Sequence, residues 1–173
     1  MKAFVHLALR YVILLLLGLG NLWLFYEVFT PLTIYSVLFI LKIFYSDVAL
    51  IFATDTISLN GIHAQIIPAC VAGSAYYLLL ILNLTTPIEA KKRVKSMLFL
   101  FGSFLLVNVL RIVIFASLFL NNYAYFDRAH NAFWYAGSTI FVVLLWFANV
   151  KIFRIKNIPI YSDAKRILRR AGQ

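Results

Sequence analysis

The sequence predicts an all-α fold: a polytopic integral membrane bundle of about five transmembrane helices with one short extracytoplasmic hairpin. Three observations predict it. The 173-residue chain is 64% hydrophobic and only 13% charged, whereas a soluble domain is about half apolar and a quarter charged. Its apolar residues fall in long runs, each near the ~20 residues that a spanning helix takes. Its basic residues collect beside those runs and leave a formal net charge of +10, from 16 Lys and Arg against 6 Asp and Glu. The runs use up most of residues 1–173, so the chain reads as a single membrane-embedded domain. Closed barrels need alternating strands, and no such pattern recurs here. In a soluble protein this charge would point to nucleic acid. Clustered at span ends it is the positive-inside signal, and no nucleic-acid partner is expected. One cysteine excludes an intrachain disulfide and a multi-cysteine metal site. The three histidines show no ligand spacing, so neither a metal nor another cofactor is expected.

Taken in order, the first span is read over Tyr11–Tyr26, with Arg10 snorkelling at one interface and Trp23 and Tyr26 at the other. No small-residue cleavage site follows it, so it reads as a retained span. Glu27–Pro31 is a short connection. The second span, Leu32–Ala53, carries Lys42 and Asp47, which in hydrocarbon should face the protein interior. Alternatively, its helix ends near Tyr45 and leaves Asp47 at an interface. In Thr54–Gln65, Ile57, Leu59 and Ile62 flank Asn60-Gly61, a tight-turn pair, which predicts a small hairpin at the membrane face. His63 in this hairpin reads as a headgroup-level residue. The third span, Ile66–Leu84, repeats Cys70, Gly73, Ser74 and Tyr77 at i, i+3, i+4 and i+7, one helical face. Its small residues, Gly73 and Ser74, permit close helix approach.

Pro87 closes that span. Lys91, Lys92, Arg93 and Lys95 make the 85–95 loop strongly basic, hence cytoplasmic. The fourth span, Ser96–Leu120, holds Asn108 and Arg111 three apart on one face. Arg111 lies about 22 Å from its basic end. After the polar and aromatic connection 121–129, His130 opens the fifth span, which runs to about Val150. The tail, residues 151–173, carries Lys151, Arg154, Lys156, Lys165, Arg166, Arg169 and Arg170. It is expected in the cytoplasm, with its isoleucines lying along anionic membrane lipids.

These assignments fix an expected topology in the plasma membrane. With the 85–95 loop and the tail inside, spans four and five join outside, and span three begins outside. Cys70, Arg111 and His130 then share the extracytoplasmic half. Counting back puts the N-terminus outside, against Lys2 and Arg10. Either the first span is re-entrant or interfacial, or those charges are outvoted.

A lone cysteine is most often a small buried hydrophobe. An arginine deep in a bilayer costs at least about 2.5 kcal/mol and so usually has a partner or a task. The convergence of three residue types changes the weight of each. Nucleophilic cysteine chemistry needs a thiolate, a base that cycles protons, and positive charge where a carbonyl oxygen becomes anionic. Cys70, His130 and Arg111 supply these. Asp127, three residues before His130, or Asn131 can orient the imidazole, as third members do in other Cys-His sites. Two further function classes fit the composition: a non-enzymatic scaffold or assembly subunit, and a small transporter lined by Lys42, Asp47 and Arg111.

The segment PACVAGSAYY, then NVLRI, then the histidine opening the last span, resembles the exosortase/archaeosortase family over about residues 60–150. The order of the three residues in successive spans is fairly specific, although each motif is short. The chain reads Ala69-Cys70-Val71-Ala72-Gly73 where the commoner form has Ala-Cys-Ser/Thr-Gly. The resemblance implies a membrane-embedded cysteine peptidase or transpeptidase, with Cys70, Arg111 and His130 catalytic and Asn108 supporting. Ser74 and Asp127 stand beside these as further supporting candidates. It implies as partner the C-terminal transmembrane sorting signal of secreted proteins. An amine, such as that of a lipid headgroup, would accept the acyl group; water would give plain proteolysis.

Overall fold

Apolar side chains cover the outside of this protein as well as its inside. Along one helix, Leu98, Gly102, Leu106, Leu110 and Ile114 form an exposed row at four-residue spacing, while Ser96, Leu100, Phe104 and Asn108 form a buried row. Polar residues turned inward under an apolar exterior fit a chain solvated by lipid. The computed structural model describes residues 2–20 and 22–155. The chain runs α1 (Lys2–Leu19), α2 (Trp23–Phe44), β1 (Val48–Ile51), β2 (Thr56–Leu59), β3 (Ile62–Gln65), α3 (Pro68–Val71), α4 (Gly73–Thr85), α5 (Ala90–Leu120), α6 (Phe126–Ala132) and α7 (Ser138–Ile152). A 3-10 turn, Phe52–Thr54, separates β1 from β2, and a π turn, Phe133–Gly137, joins α6 to α7.

Among the described residues, three helical segments are long and apolar enough to cross a membrane: Trp23–Phe44, Pro68–Thr85 and Ala90–Leu120. Leu9–Leu19 and Ser138–Ile152 are shorter apolar helices. The expected set of about five full spans therefore reduces to three of spanning length and two shorter ones. The expected all-α class is also incomplete, because the chain contains a three-stranded antiparallel sheet of order β1-β2-β3.

The first two spans shift along the chain for an identifiable reason. The helical break falls at Gly20 and the left-handed Leu22 (φ 59°), not at Glu27–Pro31. Pro31 sits inside α2. Only the backbone N–H and the preceding turn are lost at such a proline, and α2 continues to Phe44. Ending there, α2 leaves Lys42 and Asp47 exposed, as in the alternative reading, and residues 48–51, expected in the span, become β1. The Asn60-Gly61 hairpin forms where expected, with φ 48° and 82° at the two turn residues. Ile57 and Leu59 from it are buried in the core.

Aromatic rings fasten the centre. Phe29 of α2 stacks on Tyr76 of α4 at 3.7 Å between ring centres. Phe101 of α5 meets Phe29 edge-on at 5.5 Å, and Phe104 meets Tyr76 at 4.8 Å. Such pairs contribute about 0.5–1.5 kcal/mol each beyond their buried area. Tyr77 ties α1 to α4 by donating its hydroxyl to the Leu14 carbonyl at 2.7 Å. Gly73 lets α2 approach: a Cβ there would lie 2.8 Å from the Tyr26 ring.

At the basic end, α5 begins at Ala90, so Lys91, Lys92, Arg93 and Lys95 lie in its opening turns and not in a loop. Cations disfavour a helix N-terminus. Arg93 turns back and donates to the carbonyls of Asn83 (2.5 Å), Thr86 (2.9 Å) and Ile88 (3.3 Å), in the last turn of α4 and the connection that follows it. Deeper, Asn83 donates to Ser96 at 2.7 Å and Ser96 donates to Asn149 at 2.8 Å, linking α4, α5 and α7 through side chains with no exposure. The tail residues beyond 155, including Lys156, Lys165, Arg166, Arg169 and Arg170, lie outside the described residues.

Candidate active site

The site is built on a break in the third span. Pro68 opens α3 at its first turn, where its missing N–H is harmless. One turn later Ala72 adopts the left-handed conformation, φ 59° and ψ 47°, and α4 starts anew at Gly73. A non-glycine residue held there costs of order 1–3 kcal/mol. The expected single face Cys70–Gly73–Ser74–Tyr77 is therefore split. Gly73 packs on Tyr26, Tyr77 reaches α1, and Ser74 is exposed at the start of α4, away from the cavity described below.

The break withdraws backbone carbonyls from the helical ladder. The Ala75 N–H bonds Ala72 at 2.9 Å in place of Val71. Asn108 of α5, only 2% exposed, supplies the missing donors: its side-chain amide reaches the Cys70 carbonyl at 2.9 Å and that of Val71 at 3.4 Å. Arg111, one turn along α5, donates to the same Cys70 carbonyl at 3.2 Å and to the Ser138 hydroxyl of α7 at 3.2 Å. Asn108 and Arg111 thus act together, as their three-residue spacing predicts. Both donate to the backbone carbonyl of Cys70, so they fix where the thiol sits.

Beside this junction lies a cavity of about 260 Å³ that Cys70, Arg111 and His130 all line. The three residues expected to converge do share one space. The Cys70 thiol is half-buried there. His130 does not open the last span. It occupies the last turn of the seven-residue helix α6, because helical backbone begins at Phe126 within the expected loop. Its ring stacks on Phe126 at 5.5 Å and abuts Phe115 edge-on at 5.3 Å. Asp127 lies in the first turn of α6, exposed and outside the cavity lining, and Asn131 is also exposed.

Three contributors escaped the sequence reading. Ser138 of the neighbouring α7 anchors Arg111; an arginine deep in a span signals that a partner exists, but not which one. His63 and Gln65 of β3 border the cavity. Ile62 and Ala64 border it too, so the strand meets the cavity along its length, and nothing in the sequence placed that strand beside Cys70. The π turn that follows α6 also had no signature. Such turns often accompany functional sites, and this one joins the His130 helix to the Ser138 helix.

Among the described residues no group of three or more His, Cys, Asp or Glu is placed to hold a metal ion. A thiol, an imidazole and a guanidinium around one space can form and release a covalent acyl bond: a nucleophile, a proton carrier and a cation for a developing oxyanion. No protein-family model matches the chain, and neither a curated protein nor a solved structure does.

Proposed function

We propose that the protein is a membrane-embedded cysteine peptidase or transpeptidase acting on a C-terminal sorting signal of secreted proteins. The observation that carries this reading is the shared cavity of Cys70, Arg111 and His130, three residues from three separate segments. The resemblance of PACVAGSAYY and NVLRI to exosortases and archaeosortases supports the same roles. In this reading the Cys70 Sγ attacks a peptide carbonyl and a thioester bond forms as the C–N bond breaks. His130 takes the thiol proton and passes it to the leaving amine. Arg111 steadies the oxyanion with N–H groups not used on Cys70 and Ser138, while Asn108 positions the nucleophile through its backbone. An amine, such as that of a lipid headgroup, or water then attacks the thioester, expels the thiolate and returns a proton through His130. The chain would be multi-pass in the plasma membrane, with the site at the outer face and the C-terminus inside.

The test is proteomic. Native cells carrying Cys70→Ala should accumulate secreted proteins that keep their C-terminal transmembrane segment, with processing down at least about 10³-fold. An unchanged set of C-termini in that strain would refute the assignment. One observation favours a second reading. Asn108 and Arg111 both bond the carbonyl at the α3–α4 break, which is work that a non-enzymatic scaffold would also require. A scaffold predicts that Cys70→Ala is silent while Asn108 and Arg111 substitutions are not.

A further inference from the structure

The register of the hairpin decides which backbone groups of β3 are free. Leu59 pairs with Ile62 across the two-residue Asn60-Gly61 turn, and the pair that closes such a turn is hydrogen-bonded. Bonded and non-bonded pairs alternate along an antiparallel ladder. Ile57–Ala64 is therefore bonded, whereas Ser58–His63 and Thr56–Gln65 are not. The Ile66 N–H bonds the Asp55 carbonyl at 3.0 Å, the next step in that alternation. The N–H and C=O groups of His63 and Gln65 thus point away from β2, toward the outer edge.

That edge is open in the described residues. β3 has one neighbour, because the strand order is β1-β2-β3. The opposite edge strand, β1, packs against α2. Protected edges carry proline, lysine or a bulge, and β3 reads Ile-His-Ala-Gln without interruption. Unpaired strand groups do not face hydrocarbon, where each would cost several kcal/mol. Ile62 to Gln65 instead border the cavity that holds Cys70. The far wall of that cavity is aromatic and aliphatic: Ile112, Phe115, Phe119 and Phe126.

We propose that the substrate segment binds as an extended peptide that adds a fourth strand to the free edge of β3. The inference rests on the peptidase reading for its chemistry, and it names the conformation and class of what the site takes. Two N–H and two C=O groups repeat at about 6.8 Å along the edge, and an extended peptide backbone is the complement of that pattern. Side chains on an added strand alternate in direction, so every second one meets the phenylalanine wall. The recognised segment is therefore extended, with apolar residues at alternate positions. Strand addition also holds the backbone rigid beside the thiol, which bringing a carbonyl to Cys70 requires.

The test uses the full chain in detergent and a probe peptide, acetyl-Val-Thr-Val-Thr-Cys-amide, coupled to Cys70 as a disulfide. Hydrogen exchange at the His63 and Gln65 amides should slow at least tenfold on coupling. N-methylation of one alternate pair of probe residues should abolish that protection, and N-methylation of the other pair should leave it. Gln65→Pro, which removes only an outward N–H, should lower protection at His63 while the β2–β3 ladder persists. The N-methylated probes keep the test valid if that variant does not fold. Protection that is absent, or equally sensitive to both N-methyl sets, overturns strand addition and leaves a reactive Cys70 unaffected. Protection that appears while alkylation of Cys70 by iodoacetamide is indifferent to His130→Ala keeps strand addition and removes the nucleophile. A thiol that the probe cannot reach overturns both.

Discussion

Two arginines on α5 do similar local work, Arg93 in its opening turns and Arg111 in its far half, and Arg111 also lines the cavity beside Cys70. Eighteen residues, five helical turns, separate Arg93 from Arg111, so they share a face about 27 Å apart. Arg93 bonds backbone carbonyls at the end of α4 and in the connection after it. Arg111 bonds the carbonyl freed where α3 breaks from α4. Around Arg93 the polar side chains of Asn83, Ser96 and Asn149 are wholly buried and bonded to one another. Around Arg111, by contrast, Cys70, His130, His63 and Gln65 line a cavity. Satisfying a helix end is thus a sufficient reason for a membrane arginine. What sets the second apart is the cavity that Cys70 and His130 line together with it.

The comparison breaks or sharpens on matched substitutions. The largest effect is expected at Arg111. Arg111→Met should reduce processing of the accumulated substrates by at least about 10²-fold, whereas Arg93→Met should leave processing within about twofold and lower stability instead. Unfolding in mixed micelles would show the Arg93 loss as about 1–3 kcal/mol, the cost of leaving buried acceptors without donors. Equal loss of processing in both variants would mean that both arginines are purely structural.

Next in size is the serine pair. Ser96→Ala removes both links of the Asn83–Ser96–Asn149 chain and should destabilise the bundle by about 1–2 kcal/mol, read by thermal unfolding. Ser138→Ala removes one partner of Arg111. It should cost less stability, within about 1 kcal/mol, yet slow processing several-fold by loosening the guanidinium. A Ser138→Ala enzyme with unaltered turnover would take positioning away from that bond. The smallest effect is expected far from both ends. Tyr77→Phe loses the bond to Leu14 and should cost about 0.5–1.5 kcal/mol, with faster proteolysis near α1 and unchanged processing.

Much of this was legible in the sequence where a residue type is expensive in lipid. Arg111 and Asn108 announced a shared task by cost and spacing, and Asn60-Gly61 announced the hairpin by turn chemistry. Cys70, Arg111 and His130 do line one cavity, but the five-span topology from which their meeting was expected is found only in part, with three helices of spanning length among the described residues. What was not legible came from backbone steps with no compositional mark. Ala72 is an ordinary helix former, yet it takes the left-handed conformation that splits Cys70 from Ser74. Gly20 and Leu22, and not Pro31, divide α1 from α2, because a proline can be carried inside a helix whose packing holds it. β1 hid in an apolar run that reads equally well as the end of a spanning helix, a confusion that short buried strands invite. Ser138 was unreadable because its role depends on which turn of α7 faces Arg111.

The most direct measurement is the alkylation rate of Cys70 in native membranes by a membrane-impermeant maleimide, in the wild-type chain and in His130→Ala, Arg111→Met and Arg93→Met. The proposed site predicts rapid labelling from the outer side, at least about tenfold slower in the His130 and Arg111 variants and unchanged in Arg93→Met. Labelling only from the cytoplasmic side, or a rate indifferent to His130 and Arg111, would contradict the account and return Cys70 to packing.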